Sequence, residues 1–173
     1  MKSKFLTVFL LILLLFSGCT SGFDKAEVPP SLLCAKELQA KVSSPSFSGN
    51  AVYSILDDGT QKVRIVSPDE AAGLALIYNN GEASVSFDTL EVENSEAYLP
   101  ENFFALILCD AAERVMKCSQ VPQKEGDFWI FRISEGENSD VLRVTRSGLL
   151  HSFESPKNNL HIEFTDTNSQ LTE

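Results

Sequence analysis

Two histidines and four cysteines hold most of the nucleophilic and metal-binding chemistry available to this 173-residue sequence. His151 and His161 fall in the last two predicted strands, and the turn at 156–159 would place His161 near Glu154 across the strand pair. With Glu163 the two histidines could form only a weak metal site. Polar side chains facing solvent are the simpler interpretation. The sequence has no C-x-x-C pair, nucleophile elbow, phosphate-binding loop or paired-histidine helix motif. We therefore expect no catalytic residues, no metal and no cofactor, and a protein that is not an enzyme.

Cys19 is the cysteine with a recognisable chemical context. Two lysines near the start precede an apolar run of 12 residues, 5–16, that only Thr7 interrupts. A basic start, a short apolar segment and small residues before a cleavage point are the parts of a secretory signal. A membrane-spanning helix would need about 20 apolar residues. The sequence Phe16-Ser17-Gly18-Cys19 resembles the bacterial lipobox, in which the thiol receives a diacylglycerol and the chain is cut just before it.

These features predict a lipoprotein anchored by a lipid on Cys19 to the extracytoplasmic face of the cell membrane. The signal peptide would cover residues 1–18 and a lipidated tether residues 19–28. One domain would follow at 29–166, with a polar tail at 167–173. The mature chain keeps 12 basic and 24 acidic residues, a net charge of −12. Such a chain is repelled by nucleic acid and by anionic lipid surfaces, so the acyl chains must supply the membrane attachment.

The three remaining cysteines are Cys34, Cys109 and Cys118. An exported chain can form disulfides, and an odd number leaves one thiol over. Nine helical residues would separate Cys109 from Cys118 by about 13 Å, beyond the ~7 Å reach of a disulfide between α-carbons. Three arrangements remain open. Cys34 could form a disulfide with Cys109 or Cys118, a disulfide between two chains could make a homodimer, or all three thiols could be reduced.

Hydrophobic periodicity predicts two helices. The first covers 32–42, with Leu38 and Val42 on its apolar side. The second covers 101–117, and its apolar side chains span an arc of roughly 240°, far wider than the ~100° that a helix on a flat sheet needs. This second helix therefore requires a concave partner.

A period of two predicts strands in two groups on either side of the second helix. The turn sequences at 57–60 and 79–81 indicate hairpins, and a short helical turn is expected within 67–73. A change of phase predicts a bulge near Asp88. The predicted strands cover residues 48–56, 61–67, 73–79, 83–93, 127–134, 140–146, 149–155 and 160–166.

The fold class is therefore α+β. A curved antiparallel sheet of about eight strands, an unclosed half-barrel, should wrap over the central helix, with the N-terminal helix packed against it. The passage from Phe47-Ser48-Gly49 to the segment 66–73, then Asn80-Gly81, and later Leu99-Pro100 before the apolar helix, is similar to the LolA/LppX-like superfamily. The resemblance covers about residues 30–166, and the motifs that carry it are structural.

That resemblance implies an unclosed barrel whose hollow carries lipids or acylated lipoproteins. It also extends to membrane-attached relatives, including spore-germination lipoproteins, in which the same fold resembles a scaffold for a protein partner. We therefore expect a lipid or other hydrophobic ligand in the hollow or, as the alternative, a non-enzymatic scaffold for an envelope protein. The same aromatic residues could instead simply fill a core. The predicted cavity-lining residues are Phe87, Phe103, Phe104, Ile107, Leu108, Trp129 and Phe131.

Overall fold

The structure is a computed structural model and describes residues 37–93, 95, 98–117, 122–133 and 138–166. These residues form eleven strands and one α-helix, α1, at Phe104–Lys117, with short 3-10 turns at Asp69–Ala71 and Pro156–Asn158. The strands are β1 (Leu38–Ser43), β2 (Ser48–Ile55), β3 (Gln61–Ser67), β4 (Ala75–Asn79), β5 (Glu82–Phe87), β6 (Leu90–Val92), β7 (Gln123–Glu125), β8 (Phe128–Arg132), β9 (Val141–Thr145), β10 (Leu150–Ser155) and β11 (Leu160–Asp166).

All strands belong to one antiparallel sheet in the order β6-β5-β4-β3-β2-β1-β11-β10-β9-β8-β7. Two meanders, β1 to β6 and β7 to β11, meet where β1 pairs with β11. Within the described part of the chain, β6 and β7 are the two edges, and the sheet is unclosed. Since α1 follows β6 and precedes β7, the helix links the two edges of the sheet. The predicted class, an antiparallel sheet with a helix between its two halves, is confirmed in this coarse form.

The helix predicted at 32–42 is wrong for the part that the structure describes. Residues 32–36 lie outside the described ranges, and Leu38–Ser43 is the central strand β1. Leu38, Ala40 and Val42 are buried and alternate with Lys41 and Ser43, which are exposed. A spacing of four residues satisfies both a helical and a strand period, and pairing on both sides with β2 and β11 selects the strand.

The predicted strand at 83–93 is two strands, so the predicted count of eight was too low. Phe87 pairs with Leu90 across a two-residue turn. Asp88 has a φ of 55°, a left-handed conformation that aspartate tolerates better than most residues. The change of phase near Asp88 therefore marks a hairpin turn rather than a bulge. The short edge strand β7, with sequence QKE, carries no apolar alternation and escaped prediction.

Helix α1 packs on one face of the sheet, called here the inner face. Its buried positions, among them Phe104, Leu108, Cys109 and Ala112, cover about 160° of its circumference. The burial is wide, as predicted, but narrower than the ~240° apolar arc because Phe103 lies before the helix and Ile107 is only half-buried. The helix begins three residues later than predicted, after a turn in which Phe103 N–H donates to Pro100 O.

Candidate binding surface

The seven residues predicted to line a cavity fall into three environments. Four of them, Phe104, Leu108, Trp129 and Phe131, are at most 6% exposed and belong to the core between α1 and the inner face. Phe103 and Ile107 are half-buried at the margin of that core. Phe87 is 47% exposed. The structure thus brings four of the seven together as packed core and leaves one at the surface.

Aromatic stacking fills the start of the helix–sheet contact. The rings of Phe47 and Phe104 lie 4.6 Å apart at 24°. The rings of Phe103 and Phe104 lie 5.3 Å apart at 59°. Both geometries fall within the range favoured by aromatic pairs. Phe104, at 1% exposure, therefore has neighbours on its faces.

A buried polar chain fixes the middle of the helix to the sheet. The Tyr53 hydroxyl donates to Gln61 Oε1 over 2.8 Å, and Gln61 Nε2 donates to the Cys109 carbonyl oxygen over 2.9 Å. Gln61 is 1% exposed, so its amide would be costly to bury without these bonds. The chain joins β2, β3 and α1 in one arrangement.

Cys109 is a free thiol with no exposed surface. Burial raises its pKa above the ordinary value of 9.0, and the carboxylates of Glu113 and Asp110 raise it further. A protonated and inaccessible thiol is a poor nucleophile. Cys19, Cys34 and Cys118 lie outside the described residues, so the lipid anchor and the disulfide pattern stay predictions.

Three of the exposed large hydrophobic side chains in the described part of the chain lie on the hairpin of β5 and β6, called here the edge hairpin. Leu90 is 70% exposed, Val92 50% and Phe87 47%. The register pairs Phe87 with Leu90 and Val85 with Val92, so all four side chains project on the inner side of the sheet. Val85 is only half-buried. An apolar strip of this kind on an edge strand is typical of an interaction surface.

The opposite edge of the sheet, strand β7, is polar. All three residues of β7 (Gln123, Lys124 and Glu125) are exposed and polar. The Lys124 ammonium lies 5.8 Å from the Trp129 ring centroid and covers that ring. Charged side chains, lysine above all, are a common means of blunting an edge against pairing. Only one of the two edges described by the structure is therefore apolar.

An acidic groove of about 510 Å³ lies on the outer face beside the edge hairpin. Glu82 and Glu93 contribute carboxylates to it, and Asn79 contributes an amide. The Ser95 hydroxyl donates to Ala83 O over 3.1 Å and holds the chain that leaves β6 close to the start of β5. The groove and the apolar strip therefore border the same edge from opposite faces.

The two histidines lie on the outer face at the other side of the sheet. His161 pairs with Glu154 in the register of β10 and β11, as predicted. Its Nε2 is 3.2 Å from Glu163 Oε1, and its Nδ1 is 3.8 Å from Glu154 Oε1. The Arg143 guanidinium lies 2.6 Å from that same Glu154 oxygen. Arg143 therefore already pairs with Glu154, the second carboxylate beside His161.

His151 stacks on Phe128, with ring centroids 4.4 Å apart at 23°. Among the residues that the structure describes, no group of three or more His, Cys, Asp or Glu side chains could hold a metal ion. A groove of about 580 Å³ runs beside the two stacked rings. It is lined by Phe128, Arg143, His151, Ser152, Glu163, Phe164 and Thr165.

No protein-family model matches this chain, and a search of curated proteins finds no match. The resemblance to the LolA/LppX-like superfamily therefore remains a prediction from sequence pattern. In the described ranges, no helix is both long enough and apolar enough to cross a bilayer.

The edge hairpin was not predicted from the sequence, in which residues 83–93 indicate one strand. The segment Leu90-Glu91-Val92 alternates in the way that a half-exposed strand should. Asp88, the residue that turns the chain, was the available signal, since aspartate is favoured in tight turns. What no local pattern indicates is that Leu90 and Val92 remain uncovered, because exposure depends on where α1 lies on the sheet.

Proposed function

We propose that this protein is a non-enzymatic, lipid-anchored scaffold of the cell envelope that binds a protein partner through its edge hairpin. The observation that carries the proposal is the exposed apolar strip of Phe87, Leu90 and Val92, on a sheet edge that pairs with no further strand among the described residues. Exposed apolar side chains lower the solubility of a protein, and an interface that covers them would remove that disadvantage. The anchor on Cys19 would keep the strip at the membrane surface.

Among the described residues, the close packing of buried side chains beneath α1 supports a scaffold over a carrier. A half-barrel of the LolA kind would hold its cargo between sheet and helix, where Phe104, Leu108 and Phe131 are at most 6% exposed. A drug-sized or larger ligand occupies a pocket of about 300 Å³ or more. The predicted lipid anchor also favours a scaffold over a carrier, because a protein fixed to one membrane cannot shuttle freely.

Binding of a lipid or hydrophobic ligand is the second candidate function. Exposure of Phe87, one of the predicted lining residues, favours it, because this ring offers an apolar contact at the margin of the hollow. Native mass spectrometry of the purified protein should reveal a co-purified lipid if this function is correct.

The scaffold function is tested by capture of partners from detergent-solubilised membranes. Wild type is compared with Leu90→Lys, which places a charge in the centre of the strip. Leu56→Lys is the matched control, since Leu56 is another leucine, 47% exposed, in the hairpin loop between β2 and β3. We expect Leu90→Lys to lose a partner that wild type and Leu56→Lys both retain. Equal capture by all three would contradict the proposal.

Cys19→Ser separates the tether from the docking surface. This variant should leave the membrane fraction, because a chain without acyl groups loses their burial energy of about 0.8 kcal/mol per methylene. It should still bind the partner in solution. Continued membrane association of the processed Cys19→Ser chain would count against acylation while leaving the edge hairpin untouched.

A further inference from the structure

Strand β6 offers backbone groups as well as apolar side chains. It pairs with β5 on one side and has no strand on the other among the described residues. Hydrogen bonds alternate in direction along an antiparallel strand. Part of the N–H and C=O groups of Leu90–Val92 therefore point to the open edge, where an added strand could pair with them.

The two faces of this edge have opposite character. On the inner side lie Phe87, Leu90 and Val92, all of them 47% exposed or more. On the outer side lies Glu91, whose register partner is Ser86. Successive residues of a strand that added to β6 would project alternately to these two sides. Such a strand would meet apolar and acidic surroundings in alternation.

The acidic character extends beyond Glu91. Glu82 and Glu93 line the groove of about 510 Å³ on the same outer face, and Asp88 is exposed in the turn. A lysine or arginine side chain from an added strand could reach these carboxylates. Like charges directly opposite one another in a sheet are destabilising, whereas opposite charges stabilise it.

We propose that the partner of the edge hairpin contributes an extended segment in which apolar and basic residues alternate, and that this segment adds to β6 as a twelfth strand. The proposal rests on the scaffold function and names the chemistry of the partner. Apolar side chains of the segment cover Leu90 and Val92. Its basic side chains face Glu91 and the groove of Glu82 and Glu93.

A second copy of this chain fits the edge poorly. Two β6 strands paired about Glu91 would place the two Glu91 carboxylates opposite each other, and the mature chain already carries a net charge of −12. The β7 edge of another copy has the sequence QKE and brings no apolar side chain to cover Leu90. A strand of alternating basic and apolar residues complements both the acidic outer side and the apolar inner side of this edge.

The test uses the chain from residue 19 onward with Cys19→Ser, at low ionic strength because salt screens exposed charges. The probe is the peptide Lys-Val-Lys-Leu-Lys-Val-Lys with blocked ends. A second peptide has Glu in place of every Lys. A third keeps the lysines but is N-methylated at alternate residues, so that it cannot donate hydrogen bonds along one side. Affinity is measured by titration, and amide hydrogen exchange is followed for residues 90–93.

We expect the basic peptide to bind and to protect amides of residues 90–93, and the acidic and N-methylated peptides to bind at least tenfold more weakly. Glu91→Lys should weaken binding of the basic peptide about fivefold to tenfold, because one cross-strand attraction becomes a repulsion. Glu125→Lys on β7 is the matched control and should bind as wild type does. Its Glu125–Arg132 contact of 3.8 Å between exposed groups contributes little.

Four results would overturn the inference. The first is equal binding of the acidic peptide. The second is binding without protection at residues 90–93. The third is a homodimer, seen by sedimentation, that Leu90→Lys dissociates. Association of the strip with phosphatidylcholine vesicles in place of the peptide would also overturn it. The capture experiment with Leu90→Lys measures the scaffold function itself, so failure of the peptide test and failure of the scaffold function are distinguished.

Discussion

The polar and ionisable side chains beneath α1 show how burial controls single residues in this protein. Tyr78 lies near the C-terminal half of the helix, and burial raises the pKa of its hydroxyl above the ordinary value of 10.0. The carboxylates of Glu113 and Asp110 raise it further. Burial, then Glu113, then Asp110 likewise raise the pKa of the Cys109 thiol. Both groups are neutral in the folded protein, and folding becomes sensitive to alkaline pH.

Cys109→Ala should flatten the fall of stability at high pH. Above about pH 9 the unfolded chain releases the thiol proton that the folded protein keeps, so stability falls as pH rises. The fall from this group approaches about 1.4 kcal/mol per pH unit. Urea unfolding from about pH 7 to pH 10 measures it. The variant should be less stable at neutral pH because of the small cavity, yet have a shallower slope above pH 9. Parallel slopes for the two proteins would contradict the assignment.

At the residue level, the sequence allowed predictions that depend only on neighbouring residues along the chain. The opposition of His161 and Glu154 followed from the turn length alone. Environment was harder to foresee: Phe87 and Phe131 are both phenylalanines on predicted strands, yet one is 47% exposed and the other 6%. The difference lies in how far the helix extends across the sheet, which no residue type encodes.

Among the elements, the hairpins were predictable because their turn residues are specific. Asn80 and Gly81 both adopt positive φ, 51° and 85°, as a tight hairpin turn between β4 and β5 requires. Strand β1 was not predictable, because its partners β2 and β11 are both needed to select a strand over a helix. Strand β7 is three polar residues, and only its pairing with β8 defines it.

Gly49→Ala tests the close approach of β2 and β3. A methyl group at Gly49 would collide with the Ser67 carbonyl oxygen and lie 3.1 Å from the Phe47 ring. Because backbone atoms cannot move aside, we expect a loss of about 2 to 3 kcal/mol in the free energy of unfolding. Gly59→Ala is the control. Gly59 has a φ of 85° and nothing within 4 Å of an added methyl group, so only backbone strain of about 1 kcal/mol applies.

Chemical unfolding of both glycine variants provides the comparison. A greater loss for Gly49→Ala supports the steric account of the β2–β3 contact. A loss for Gly49→Ala no larger than that for Gly59→Ala would mean that the two strands separate easily at this point. The packing of Phe47 on Phe104 would then not depend on the close approach of β2 and β3.

At the scale of the whole molecule, the two sheet edges in the described part of the chain differ in chemical character. The β7 edge is charged and its lysine covers Trp129, whereas the β6 edge is apolar on one face and acidic on the other. A single-sided edge limits addition to one strand and avoids open-ended assembly. An anchor on Cys19 would add confinement to the membrane surface. We therefore expect a tethered protein with one docking edge.

Site-specific photo-crosslinking in the cells that produce this protein tests that claim most directly. A photoreactive amino acid replaces Leu90 in one variant and Leu56 in the other, with the Cys19 signal intact. We expect a crosslink from position 90 to one envelope protein of discrete mass, and no such product from position 56, if the edge hairpin is the docking surface. Crosslinks from position 90 to lipid alone, or the same products from both positions, would contradict it.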